Sequence, residues 1–427
     1  MTTETTITER DQLRLVIAGS VDDGKSTLVG RLLHDTKSIL ADQFEATLHA
    51  SQGRGATEFD FALLTDGLRA EREQGITIDV AYRYFATPRR NFVLADTPGH
   101  VQYTRNTVTG ASTAEAAVVL VDVRNGVSAQ TRRHAAVLSL LRVPQVVFAI
   151  NKMDAVDWSE ERFAVVADDV RAVAERVGLE TTHIIPISAL TGENVASPGP
   201  DWYAGLPLLE VLETLPARAN ADSEPFRLPV QLVIRPRTTE HPDYRGLAGR
   251  VASGTVRVGE TVTAFPSGRN STIVGIDGVR GEQEAATTGE SVTIRLADEL
   301  DVGRGEVLTT AQPIRTTREL DSVLTWLDER PPTPRQRVLV KVGTRTTRAL
   351  LAAPHAVWHV DDLQWQDSTD PLQLNDIGRI RIQLAEPVAV DDYAQQRATG
   401  AFVVIDPDTG ATLAAGLTGS ELGALAR

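Results

Sequence analysis

Lysine is rare in this chain. Lys25, Lys37, Lys152 and Lys341 are the only four, against a total of 43 Lys and Arg. An ammonium on a flexible stem is a point charge that the planar guanidinium fork cannot copy. Positions that keep lysine are therefore where chemistry is sought first. Lys25 lies in Gly19-Ser20-Val21-Asp22-Asp23-Gly24-Lys25-Ser26-Thr27, which fits the phosphate-binding spacing G-x-x-x-x-G-K-[ST]. The segment follows an apolar run and opens a helical pattern. Its glycines let successive backbone N–H groups face phosphate oxygens, and the helix N-terminus adds its positive dipole end. In such a loop Lys25 meets the β- and γ-phosphates and the Ser26 hydroxyl ligates Mg²⁺. Thr27 completes the residues lining the nucleotide.

Lys152 lies in Asn151-Lys152-Met153-Asp154, at the end of another apolar run. Guanine presents two parallel donors, N1–H and the 2-amino group, and the Asp154 carboxylate can accept both. Adenine offers no such pair, so unpaired polar groups would reject it. The Lys152 stem can pack over the base. Between these motifs stands Asp96-Thr97-Pro98-Gly99. An Asp at a strand end can hold Mg²⁺, usually through water, and the Gly99 N–H can bond the γ-phosphate. Ser188-Ala189-Leu190 ends a later apolar run, where a backbone N–H can reach guanine O6. It has meaning only through its position.

These residues must be brought together by a sheet. Strands are expected at Leu13–Ala18, Ile78–Phe85, Phe92–Asp96, Ala117–Asp122, Val146–Ile150 and His183–Ile187. Helices are expected at Lys25–His34, Val101–Gly110, Ala129–Leu141 and Glu160–Val177. Short apolar strands alternating with helices read as a mostly parallel, doubly wound α/β sheet, which binds ligands at the carboxyl ends of its strands. The polar, Pro-bracketed stretch 216–225 reads as a linker. Beyond it come β-branched runs with glycine turns, such as 249–265 and 378–390, a pattern of β-barrels. The expected division is a nucleotide-binding domain at 1–217, a barrel at 226–312 and a second barrel at 313–427.

The chain has 427 residues, a net charge of −14 and no cysteine. Disulfides, thiolate zinc sites and a cysteine nucleophile are excluded. The acidic balance argues against general nucleic-acid binding, which needs clustered cations. The polar N-terminus lacks the apolar core of a signal peptide, and no apolar run spans a membrane, so a cytoplasmic location is expected. His355 and His359 lack a third metal ligand. Trp358 and Trp365 read as barrel core, and Asp168-Asp169 as a solvated helix face.

Taken in order, the motifs resemble the translation-factor-type GTPases of the P-loop class. Glu71-Arg-Glu-Gln-Gly75-Ile76-Thr77-Ile78 looks like the effector loop of that class. The resemblance implies that Thr77 ligates Mg²⁺ and senses the γ-phosphate. It implies that His100, directly after the Asp96–Gly99 motif, orients the attacking water, with Val21 and Ile76 shielding it. A P-loop GTPase domain followed by two all-β barrels is also the architecture of elongation factor Tu and its relatives. A closer resemblance is to the GTPase subunits of bacterial heterodimeric sulfate adenylyltransferases. It is carried by 70–85, 95–112, 128–135 (SAQTRRHA) and 149–154, and by 374–393 and 397–406 in the last barrel. It implies GTP and Mg²⁺ as ligands and a heterodimer with a smaller subunit that binds ATP and sulfate. Ser20 and Asp23 replace histidines usual in elongation factors, and the stretch from about His34 to Thr77 is long. Only one phosphate loop is present, so no fused adenylylsulfate kinase is expected, and with no H-x-x-H pair the nucleotidyl transfer itself is expected to fall to the partner. The alternative is an elongation-factor-like carrier of aminoacyl-tRNA.

Overall fold

A strand buried on both faces reads as a continuous apolar run rather than an alternation, and the first unit is built on such strands. The computed structural model describes residues 11–39, 61, 80–98, 104–179, 182–216, 224–236, 243–310, 312–359 and 362–419. Its elements run β1 (Gln12–Gly19), α1 (Lys25–Asp35), β2 (Ala81–Ala86), β3 (Asn91–Asp96), α2 (Thr104–Ser112), β4 (Ala116–Asp122), α3 (Ala129–Leu140), β5 (Gln145–Asn151), α4 (Glu160–Val177), β6 (Thr182–Pro186) and α5 (Leu208–Thr214). Every residue of β4 is buried.

The strands lie in the order β2-β3-β1-β4-β5-β6. β1, β3, β4, β5 and β6 are parallel, and β2 runs antiparallel to β3 at the edge. The chain therefore starts in the middle and builds outward in both directions, which opens a crevice at the carboxyl end of β1. One face packs α3 and α4 through Ala135, Leu138, Val166 and Val170. The other packs α1 and α5 through Leu28, Leu32, Leu208 and Leu212. The doubly wound expectation holds. Of the expected edge strand, 78 and 79 lie outside the described residues, as do 101–103 of the expected second helix. The seven-residue α5 was not foreseen. Ser128 caps α3, with Thr131 completing a reciprocal capping box. Ser159 caps α4, which ends on left-handed Gly178.

Two all-β units follow. In the first, an antiparallel sheet runs in order through 227–229, 307–309, 261–265, 269–278, 291–296, 246–250 and 232–234. A bridge between Arg227 and Ser253 curls it back on itself, around Phe226, Val256, Ile276 and Leu308. In the last unit the order is 337–342, 401–405, 412–418, 315–326, 377–390 and 345–359, and the sixth strand pairs again with the first. That is a closed barrel, filled by Trp326, Ile380, Ile382 and Val404. Trp358 differs from expectation in its place. It is buried, but in the cluster that holds Val108 and Leu141 of the α/β unit rather than in the barrel interior, and its ring meets Trp365 edge-on at 5.5 Å. Asp168 and Asp169 are exposed, as expected. Among the described residues no helix is long and apolar enough to cross a membrane.

Polar bonds tie the units together. Arg227, 3% exposed, donates from Nε and its guanidinium amine to both carboxylate oxygens of Asp391, at 2.9 and 3.0 Å. Tyr393 donates its hydroxyl proton to Leu141 O at 2.9 Å. Arg397 donates to the carbonyls of Ser112 (3.3 Å) and Ala114 (3.4 Å) at the end of α2. Asp391, Tyr393 and Arg397 lie within the segments 374–393 and 397–406.

Removing one partner of a buried ion pair leaves the other uncompensated, so Asp391→Ala is expected to cost about 3–5 kcal/mol, read as a lower urea midpoint; an unchanged midpoint would contradict the tie. His134 of α3 is 2% exposed. Burial, then the nearby Lys25 charge, pushes its pKa down to about 3, against a bond to the Gly19 backbone that raises it. The unfolded chain takes up this proton near pH 6.5 and the folded chain only near 3. The stability carried by neutral His134 is full above pH 6.5 and drains as the pH falls below it, by about 2 kcal/mol at pH 5. His134→Gln should flatten that slope between pH 7 and 5, and an equal slope in the variant would contradict it.

Candidate nucleotide-binding site

The loop after β1 is shaped by its glycines and by what presses on them. Gly24 is the N-cap of α1 at φ 93°, ψ 27°, a region side chains avoid. A Cβ there would stand 2.4 Å from Asn151 Nδ2. Ser20 N–H donates to Asp23 Oδ2 at 2.7 Å. Lys25 folds back and donates from Nζ to Gly19 O (3.0 Å) and Ser20 O (2.7 Å). Burial lowers the Lys25 pKa, while Asp23, Asp96 and Asp22 raise it. Burial raises that of Asp23, against the Ser20 N–H and Lys25. An ammonium held by two neutral carbonyls gains by exchanging them for an anion. Ser26 and Thr27 are half-buried in the first turn of α1, and Val21 and Asp22 are exposed at the lip.

A brace lies behind the loop. Ser20 Oγ bonds Ser128 Oγ at 2.8 Å, and His134 bonds the Gly19 backbone. Both partners belong to the segment 128–135. Ser20, a departure from the elongation-factor pattern, is thus fastened by the hydroxyl that caps α3.

Asp96 ends β3 opposite Ile17 of β1 and is 1% exposed. Thr97 anchors the turn by donating Oγ1–H to Ile17 O at 2.7 Å. The hydroxyl of Ser26 and the carboxylate of Asp96 are hard oxygen donors, a set that suits Mg²⁺. Thr77, Ile76, Gly99 and His100 lie outside the described residues. Among the described residues no cluster of three His, Cys, Asp or Glu forms a metal site of its own.

Asn151 ends β5 beside the loop and is 2% exposed. Its Nδ2 donates to Asp23 O at 2.7 Å, and its Oδ1 accepts from Ala189 N–H at 2.9 Å. One amide thereby holds the phosphate-loop motif against the Ser188–Leu190 turn. Lys152, at φ 65°, sends its ammonium to Asp22 O and to Asp122 Oδ2, the latter at 2.9 Å. Asp154 has a buried Oδ1 with no hydrogen-bond partner among the described residues, an acceptor fit for a donor from outside the chain. In the 188–190 turn, Ala189 N–H is taken by Asn151 and Thr191 N–H by Ser188 Oγ at 3.1 Å. The N–H of Leu190 has no such partner among the described residues.

Arg31 was not foreseen. From α1 it donates Nε–H to Ala189 O at 3.2 Å and a second bond to Leu190 O, fixing the turn from below. Its guanidinium lies 3.9 Å from the Phe61 ring centroid. A single Arg on a helix whose partners lie about 160 positions away leaves no local pattern to read.

The match to the Elongation factor Tu GTP binding domain covers residues 10–218. The match to the GTP-eEF1A C-terminal domain-like family covers 319–418. Sulfate adenylyltransferase subunit 1 of Methylorubrum extorquens is 48% identical over 414 residues, 96% of this chain and 87% of that one. The subunit 1 of Alteromonas mediterranea is 45% identical over 420 residues, 97% and 88% of the two chains. The Bifunctional enzyme CysN/CysC of Mycobacterium tuberculosis is 47% identical over 410 residues, 95% of this chain and 67% of that one. With such identity over nearly its whole length, the chain belongs to the sulfate adenylyltransferase subunit 1 family of GTPases.

Proposed function

We propose that this chain binds and hydrolyses GTP at the carboxyl ends of β1, β3, β5 and β6. The energy would drive a smaller partner subunit to make adenosine 5′-phosphosulfate and pyrophosphate from ATP and sulfate. The observation that carries the guanine assignment is the buried Asp154 Oδ1 beside Asn151 and Lys152, which has no hydrogen-bond partner among the described residues. The sulfate assignment and the partner rest on the relatives named subunit 1. The carrier reading has less support, because those relatives match the barrels as well as the GTP-binding unit.

In this reading Lys25 leaves the Gly19 and Ser20 carbonyls for the β- and γ-phosphates, and loop N–H groups between Val21 and Ser26 donate to the phosphate oxygens. Asp154 accepts from guanine N1–H and the 2-amino group, and the Leu190 N–H donates to O6. Ser26, Thr77 and Asp96 would hold Mg²⁺, which offsets phosphate charge when bound. His100 orients a water for attack on the γ-phosphate, with Val21 and Ile76 excluding other waters. The products are GDP and inorganic phosphate.

Hydrolysis can drive a partner only if two states of this chain contact it differently. Thr77 and Gly99 are proposed to hold their loops on GTP and release them after hydrolysis. The geometry around α2 supports such a relay. This helix follows the Asp96–Gly99 motif, Arg397 of the barrel grips its end, and a cavity of about 1250 Å³ lies between it and the barrel.

The test is pyrophosphate release from ATP plus sulfate by the chain with its small partner, with and without GTP. GTP should stimulate release. Lys25→Ala should lower that stimulation on the order of 10²-fold, and Thr77→Ala should bind GTP yet fail to stimulate. Sulfate-dependent release indifferent to GTP, or full stimulation by the Thr77 variant, would overturn the coupling.

A further inference from the structure

A carboxylate at the end of a strand buried on all sides is costly unless it is paired. Asp122 is such a group, with its side chain 1% exposed at the carboxyl end of β4. It accepts from Arg124 three times: from the backbone N–H at 2.9 Å, from Nε at 3.0 Å and from a guanidinium amine at 2.7 Å. Its Oδ2 also meets Lys152 Nζ at 2.9 Å. Burial pushes the Asp122 pKa up, but the bonds from Arg124 and Lys152 prevail and bring it to about 2. It is an anion at any working pH. Neither the phosphate-loop pattern nor the Asn151–Asp154 pattern contains it.

Which group positions the other follows from what is fixed. Asp122 sits in the sheet, in register with Asn151 of the next strand. The turn after it is clamped from α4, where Arg162 donates to Val123 O and Arg124 O, each at 2.9 Å. Lys152 has a long, rotatable stem with 26% of its side chain exposed, and such a stem is loose unless its end is tied. The Asp22 carbonyl provides one tie and Asp122 the charged one.

We propose that Asp122 is a positioning residue for the guanine nucleotide: its fixed carboxylate draws the Lys152 ammonium down, so that the lysine stem lies flat as one wall of the base site. This rests on the guanine-nucleotide reading above. The role runs against the simplest electrostatic expectation. Asp122 is a negative charge close enough to raise the Asp23 pKa, in a cleft that must accept a polyphosphate. As a bystander charge it would weaken nucleotide binding, and its removal would tighten it. As a positioning group it strengthens binding, and its removal loosens it. The two roles predict opposite signs.

The measurement is the release rate of N-methylanthraniloyl-GDP from the full chain, with apo-protein melting recorded alongside. Asp122→Asn keeps the shape and removes the charge. Release should quicken about tenfold, the scale of one charge-assisted hydrogen bond. Lys152→Met keeps a stem and removes the ammonium, and should quicken release to a similar extent. Since both changes break one interaction, the double variant should release no faster than Lys152→Met alone. Slower or unchanged release from Asp122→Asn, or rates that multiply in the double variant, would overturn the proposal. If Asp122→Asn melts below the assay temperature, Lys152→Met decides alone, and unchanged release from it overturns the proposal. A native chain that binds no labelled GDP would overturn the guanine reading itself, an outcome distinct from normal binding with an indifferent Asp122 variant.

Discussion

The side-chain amide of Asn151 is the interaction on which the candidate site depends. Its two ends bond the carbonyl of Asp23 and the N–H of Ala189, two loops that otherwise belong to different strands. A buried amide with both ends satisfied is a rigid spacer, because leaving either end unpaired in a dry interior costs free energy. It fixes how far the proposed phosphate cradle stands from the proposed base pocket. It also explains Gly24. The amide lies where a Cβ would be, so the loop can approach it only by giving up a side chain there.

Around that spacer the charges are arranged in advance. Lys25 and Lys152 both fold back onto loop carbonyls, and both lie among carboxylates. The cations are thereby ordered without a ligand, which lowers the entropy lost when one arrives. The supports come from farther out. Ser128 and His134 hold the phosphate-loop motif, Arg31 holds the 188–190 turn, and Asp122 holds Lys152. Each comes from an element that packs in one of the two cores or lies within the sheet itself.

Legibility in the sequence followed locality. The residues from Gly19 to Ser26, at Asn151 to Asp154 and at Asp96 were readable because the chemistry needs fixed types at fixed short spacing, each at a strand end. The parallel core strands were readable because burial on both faces writes a continuous apolar run. Arg31 and Asp122 were not, because their partners lie on other elements and no short pattern records the meeting. Helix α5 was missed because seven residues carry less than two periods of a helical pattern. Trp358 was read correctly as buried, yet its place against the α/β unit depends on how whole units pack. Thr77, Ile76, Gly99 and His100 rest on resemblance and chemistry alone.

In the proposed function the cleft reads guanine through the carboxylate of Asp154. Calorimetric titration of the native chain and Asp154→Asn with GTP and with xanthosine triphosphate tests it most directly. Xanthine carries a carbonyl where guanine carries its 2-amino group, so it asks for a donor instead of an acceptor. The native chain should prefer GTP and the variant xanthosine triphosphate, each by on the order of 10²-fold or more. A variant that keeps the native preference would contradict it.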